Sequence, residues 1–129
     1  MSENAGFSTG KPWLPAHPNF KKRNVAAQQK DENSFLNFTK KLIALRKENQ
    51  TLRSGDFLPL SDLPKDVMAY LRKSDDVTIL VALNFSAKEQ KLSLPQDSWA
   101  IFFSETRKDD TKGKEILLSP HEILLLKAK

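Results

Sequence analysis

Acidic side chains are the residues of this chain that could most readily carry out chemistry, because two fixed carboxyl groups can act as general acid and general base. Most acids after residue 60 instead fall in turn-forming stretches: Asp62, Asp66, Asp75, Asp76, Asp97, Asp109 and Asp110. Turn formation and surface charge account for such positions better than catalysis does. We therefore predict that the chain contributes no catalytic residue.

Metal and cofactor chemistry is also not indicated. A metal site needs three or four convergent ligands, whereas the two histidines, His17 and His121, lie far apart and each adjoins a proline. Phosphate-binding, dinucleotide-binding and nucleophile-elbow motifs do not occur. We predict no metal site and no cofactor.

The composition is that of an ordinary globular domain. The chain has 129 residues and no cysteine, which excludes a disulfide framework and fits a reducing cytoplasm. No apolar run approaches the roughly 18 residues of a membrane span. The first residues, Met-Ser-Glu-Asn, lack the basic start of a signal peptide. We expect a cytoplasmic protein without a membrane partner.

The positive charge is concentrated in the N-terminal part. Residues 1–54 hold ten Lys or Arg against four acids, a net of +6, and residues 55–129 hold eleven against twelve, a net of −1. A basic surface of this kind could bind nucleic acid or another acidic partner. Aromatic residues that would stack on bases are not interleaved with it. A solvated helix face and surface loop are the preferred interpretation, with no nucleic-acid partner.

The stretch from Asn4 to Phe20 is too rich in glycine and proline for a helix or a central strand. It nevertheless carries large apolar side chains at Phe7, Trp13 and Leu14. An irregular loop with such side chains normally packs against a larger body. We expect that body to lie outside this chain.

One amphipathic helix is predicted next. Asp31, Asn33 or Ser34 can cap its start, and it should end near Asn49. Its apolar stripe recurs at steps of three and four residues and consists of Phe35, Phe38, Leu42 and Leu45, widened by Leu36 and Ile43. Because burial of such side chains contributes about 1.5–3 kcal/mol each, the stripe should pack on the rest of the chain or on a second copy.

After Gly55 the apolar period changes from helical to two, which is typical of strands. Strands are predicted over residues 56–60, 67–73, 77–84, 89–94, 100–104, 115–118 and 123–127. Parallel pairing would need crossovers of about a dozen residues, and none is present. The pattern predicts a mainly β, antiparallel sheet or sandwich.

Several segments resemble bacterial α-glucosidases of the α-amylase superfamily, the group of oligo-1,6-glucosidases, dextran glucosidases and trehalose-6-phosphate hydrolases. The similar segments are NAGFS, KPWLP, HPNFKKRNV, AAQQKDENSFLNFTKKLIALRKEN and the late LSPHEILLL. Thr39, Phe20 and Arg23 depart from the usual family residues.

The resemblance implies that residues 1–50 are the end of a catalytic barrel and residues 51–129 a Greek-key β-sandwich domain. It implies a non-catalytic C-terminal fragment with a structural role in a parent that hydrolyses α-glucosidic bonds of oligosaccharides. Glycoside hydrolysis needs two carboxyl groups fixed across the bond, and in this family they lie on earlier strands. Asn4, Gly6 and Phe7 would approach the rim of the parent's active site.

The expected partner is the remainder of the parent barrel, with self-association through Phe35, Phe38, Leu42 and Leu45 as a further possibility. A free carbohydrate-binding module is the main alternative function, with Trp13, Trp99 or Tyr70 as its stacking residues. A basic interaction protein is the weaker one.

Overall fold

A computed structural model describes residues 3–129, except for the side chains of Glu3 and Lys112. The first two residues of the predicted 1–50 segment lie outside the described residues. The chain forms two compact units that divide between Glu48 and Asn49.

The first unit consists of turns and helices. Single 3₁₀ turns span Glu3–Gly6 and Pro18–Lys21, followed by helices α1, Val25–Lys30, and α2, Phe35–Glu48. The Ser34 hydroxyl accepts a hydrogen bond from the amide of Asn37 at 3.2 Å, so Ser34 is the cap of α2 among the three predicted candidates. It also donates to the carbonyl of Gln28 at 2.7 Å, which joins α1 to α2.

The predicted number of helices, one, was too low, because the described residues contain two more short α-helices. Helix α1 has six residues and no apolar period, and it is capped by Asn24, whose side chain accepts from the amide of Ala27 at 2.8 Å. Helix α3, Gln50–Ser54, follows a break at Asn49, where the backbone is extended (φ −116°, ψ 109°). Helix α2 therefore ends where predicted, but the chain resumes a helical turn at once.

The second unit adds eight strands to α3. They are β1 Asp56–Pro59, β2 Val67–Lys73, β3 Thr78–Asn84, β4 Gln90–Ser93, β5 Ser98–Ser104, β6 Thr111–Lys112, β7 Glu115–Leu118 and β8 Ile123–Ala128. Seven of these overlap the seven predicted strands, and β6 was not predicted. Strand β6 has only two residues, and its sequence carries no alternating pattern.

The strands form a six-stranded sheet in the order β1-β2-β3-β8-β5-β6 and a two-stranded ribbon of β4 and β7. Every pairing of these strands is antiparallel. Strand β8 returns from the ribbon to lie between β3 and β5, which is a Greek-key type of connection. The predicted fold class, a mainly antiparallel β structure, is confirmed.

The core lies between the sheet and the ribbon. It joins Leu80, Ala82, Leu124 and Leu126 of the sheet to Leu92, Ile116 and Leu118 of the ribbon, together with Trp99. Alternate residues Ile79 and Val81 are also buried, on the opposite face of the sheet. Helix α3 contacts β2 and β3 and buries Leu52.

Candidate functional site

The predicted rim residues lie in a loop that Asn4 holds together. The Asn4 side-chain amide donates hydrogen bonds to the carbonyls of Ser8, at 3.2 Å, and Gly10, at 3.0 Å. Asn4, Ala5 and Gly6 are all left-handed, with φ of 52°, 56° and 81°. Asparagine and glycine tolerate this conformation better than other residues do, so Asn4 and Gly6 suit the turn, whereas the conformation of Ala5 is unfavourable for alanine.

The loop presents its aromatic side chain outward. Phe7 is 89% exposed and Trp13 is 94% exposed. An open cavity of about 650 Å³ lies beside Phe7 and Phe20, and Lys21 and Arg23 also line it. A second, of about 480 Å³, is lined by Trp13, Phe20 and the prolines of the KPWLP segment. These concave, partly aromatic surfaces are shaped to receive apolar groups.

Within the first unit, no apolar side chain whose exposure is described is buried. Between Asn4 and Glu48, where the exposure of each side chain is described, only Ser34 is buried. Of the predicted stripe on α2, Phe35 is 79% exposed, and Phe38, Leu42 and Leu45 are half-buried. The apolar stripe is present on α2, but no closed core of the first unit buries it.

Three of the seven acidic residues named above, Asp62, Asp66 and Asp110, have the turn or surface-charge roles predicted for them. Asp62 and Asp66 are left-handed turn residues, with φ of 55° and 64°. Asp110 accepts from the amide of Ile101 at 2.9 Å and pairs with Lys129 at 2.7 Å. Of the two histidines, His17 accepts from the amide of Asn19 at 3.2 Å, and His121 is a left-handed residue before β8.

An ion pair between Arg107 and Glu122 is the main polar site that sequence reasoning missed. Glu122 is buried, and its carboxylate accepts from Arg107 Nε at 2.5 Å, Arg107 Nη2 at 2.7 Å and the Ser119 amide at 2.7 Å. Arg107 also donates to the carbonyl of Leu117. The pair therefore fastens the loop after β5 to the turn between β7 and β8.

The ionisation of this pair follows from its surroundings. Burial acts to raise the pKa of Glu122, but the hydrogen bonds from Arg107 and Ser119, with the Arg107 charge, outweigh it and lower the pKa below its usual value. The hydrogen bond to Glu122 likewise raises the pKa of Arg107. Both groups are charged at neutral pH.

Asn84 completes this polar cluster from the other side. Its buried side-chain amide donates to the carbonyls of Lys88 and Ser119, both at 2.8 Å, and its oxygen accepts from the Ser86 hydroxyl at 2.8 Å. The LSPHEILLL segment thus supplies both the Ser119 carbonyl and the Glu122 carboxylate. That segment was the only sequence signal of the cluster, and its role is structural.

Two of the three residues proposed for sugar stacking pack within the second unit. Trp99 is 1% exposed, and its indole donates to the Gln96 carbonyl at 3.1 Å. Tyr70 is half-buried and packs against Phe57 with ring centroids 4.9 Å apart. Trp99 is a core residue and is not available to a ligand.

Two family models match this chain in succession. Residues 1–55 match the α-amylase catalytic domain, and residues 67–123 match the C-terminal domain of the α-amylase SusG. The chain therefore resembles the junction between the catalytic domain and the C-terminal domain of α-amylase-family proteins. The match to the catalytic domain ends at residue 55, between α3 and β1. The match to the C-terminal domain covers β2 to the start of β8.

The relatives of this chain are longer enzymes. It is 37% identical to the glucan 1,6-α-glucosidase of Streptococcus pneumoniae over 90% of this chain and 22% of that protein. It is 34% identical to the oligo-1,6-glucosidase of Bacillus cereus over 98% of this chain and 23% of that protein. The chain thus spans about a fifth of the curated relatives that it matches.

Solved structures agree with these matches. A trehalulose synthase from Pseudomonas mesoacidophila superimposes with a TM-score of 0.85 and 32% identity, over 99% of this chain and 24% of that one. An isomaltulose synthase from Erwinia rhapontici superimposes with a TM-score of 0.81 and 30% identity, over 98% of this chain and 23% of that one. Among residues 3–129, no helix is long and apolar enough to cross a bilayer.

Proposed function

We propose that this chain is the non-catalytic C-terminal region of an α-glucosidase-like glycoside hydrolase, one that cleaves α-glucosidic bonds of oligosaccharides. Residues 1–50 would complete the catalytic barrel and residues 51–129 would form the β domain that supports it. One observation carries the proposal: residues 4–48, which lie within the match to the end of a catalytic domain, bury none of their apolar side chains.

The rim residues have a defined place in this proposal. Active sites of such barrels lie on the loops that follow the strands, and Asn4, Gly6 and Phe7 would belong to the last of these loops. The hydrogen bonds from Asn4 to Ser8 and Gly10 support this role, because they preorganise the loop that presents Phe7. The nucleophile and the acid/base would come from other parts of the barrel.

The proposal also covers partners and location. The main partner is the remainder of the barrel, and the chain alone would self-associate through Phe35, Phe38, Leu42 and Leu45, for which the exposure of Phe35 is support. Nucleic acid has no part in it. The cysteine-free sequence supports a cytoplasmic location.

A chimeric enzyme tests the function. The segment of the Bacillus cereus oligo-1,6-glucosidase that this chain matches is replaced by residues 1–129, and hydrolysis of p-nitrophenyl α-glucoside is measured. We expect turnover by the chimera and none above background by the chain alone. Turnover by the chain alone, or a folded chimera without activity, would contradict the proposal.

A further inference from the structure

The first unit lacks the means to hold its observed conformation alone. It spans two turns and two helices, yet only Ser34 is buried between Asn4 and Glu48. Ordering a segment of this length costs conformational entropy that apolar burial must offset. Its apolar side chains are therefore an interface whose other half is a separate surface.

We propose that Trp13 is the dominant contact of this interface. The chain would then bind the rest of an α-glucosidase barrel tightly enough to stay assembled with it when no peptide bond joins the two pieces. The inference rests on the proposed function and goes beyond it. Covalent continuity would allow even a weak contact, whereas assembly from two pieces requires a stable interface with a dominant anchor.

Trp13 has the properties of such an anchor. It is the most exposed of the large apolar residues that the structure describes, at 94%. Pro12 and Pro15 flank it in the sequence, and their fixed φ angles reduce the entropy that docking would remove. Tryptophan side chains dominate the energy of many interfaces when they enter a closed pocket.

The anchor is also tied to the rim loop. The side chain of Asn4 bonds to the carbonyl of Gly10 at 3.0 Å, and Asn4, Trp13 and Phe20 line the same cavity of about 480 Å³. A partner side chain that fills this cavity would contact Trp13 and fix the rim loop at the same time. Docking would thus order the segment that carries Phe7.

A cleavable chimera tests the proposal. A protease site is placed between the Bacillus cereus segment and residue 1 of this chain, and the chimera is assayed uncut and after complete cleavage. We expect the two pieces to co-elute at micromolar concentration and to keep most of the activity. If an active chimera is cleaved and its two pieces then separate, the inference is wrong, but the proposed function is unaffected. An inactive uncut chimera would refute the proposed function and this inference with it.

Substitutions then test the anchor. Trp13→Ala in the cleaved chimera should weaken the association of the two pieces by roughly thirtyfold or more. Phe85→Ala is the matched control, since Phe85 is a 63% exposed aromatic residue of the second unit, and it should leave association unchanged. Equal binding by Trp13→Ala and the original chimera would contradict the assignment.

A spectroscopic readout reports docking without activity. The chain contains two tryptophans, so labelling the full chain with 5-fluorotryptophan gives two ¹⁹F resonances. When the labelled chain is added to the unlabelled barrel piece, the Trp13 resonance should shift and lose its solvent isotope effect. The resonance of the buried Trp99 should stay unchanged. Unchanged resonances at saturating partner would count against docking.

Discussion

Arg107 and Glu122 form a bidentate ion pair across 15 residues of sequence, with Arg107 Nε 2.5 Å from one carboxylate oxygen and Nη2 2.7 Å from the other. The Glu122 side chain is 1% exposed and that of Arg107 is 25% exposed. A carboxylate at such a depth requires its partner, because an unpaired buried charge is strongly destabilising. The pair therefore secures the end of the β domain where β8 enters the sheet.

Arg107→Met should destabilise the β domain by about 3 kcal/mol, because it leaves the buried Glu122 carboxylate without its cation. Urea unfolding, followed by circular dichroism of the β domain, measures the effect. Lys91→Met is the matched control: Lys91 and Glu115 also pair at 2.7 Å, but both side chains are more than half exposed. That substitution should change stability by less than about 1 kcal/mol, and equal effects of the two would contradict our account of the buried pair.

Stability should decline as the pH falls below the pKa of an unfolded glutamate, about 4.3. The pKa of Glu122 is lower in the folded protein, so between the two values the unfolded chain binds the proton more readily and folding loses stability. Urea midpoints from pH 6 to pH 3 measure this. Glu122→Gln should show a flatter decline than the original protein, and parallel curves would show that Glu122 does not contribute.

Gly55→Ala should destabilise the second unit by about 2 kcal/mol. A Cβ at this position would lie 2.6 Å from the Thr51 carbonyl oxygen and 2.7 Å from that of Lys73, and neither backbone atom can rotate away. Gly10→Ala is the control, because its Cβ would meet only the Ser8 hydroxyl, at 3.9 Å. Thermal unfolding by circular dichroism distinguishes them, and an unchanged Tm for Gly55→Ala would show that α3 can move away from β2.

Much of the fold could be predicted from the sequence, because its signals are local. Alternation identified the long strands, and the step of three and four residues identified α2 and its end. Helix α1 and strand β6 carry no apolar period and were therefore not predicted. Helix α3 was not predicted because the helical pattern was taken to end at the break near Asn49.

Among the polar and apolar sites, those with a local sequence signature could be predicted, and those that depend on the sheet topology could not. Turn roles for Asp62 and Asp66 follow from local chemistry, and the structure confirms them. The Arg107–Glu122 pair depends on which loops the sheet topology brings together, and neither residue has a local signature. The exposure of Trp13, by contrast, was expected, because large apolar side chains in a loop rich in glycine and proline indicated a partner surface outside the chain; only its extent, 94%, required the structure.

Asn4→Asp in the active chimera should lower kcat/KM by roughly tenfold. The substitution replaces the amide that donates to Ser8 and Gly10 with oxygens that repel those carbonyls, so the rim loop should open. Asn33→Asp introduces the same change in the turn before α2 and should leave kcat/KM unaltered. Equal kinetics for both variants, measured on an α-glucoside, would remove Asn4 from the rim.

Hydrogen–deuterium exchange of residues 3–48, compared between the chain alone and the chimera, shows whether this segment lacks a core of its own and is completed by the preceding part of a barrel. We predict that amides of α2 exchange at least a hundredfold faster in the isolated chain at a concentration where it is monomeric, with exchange of the β domain unchanged. Equal protection of α2 in both proteins would contradict this prediction, because the segment would then be stable without the barrel.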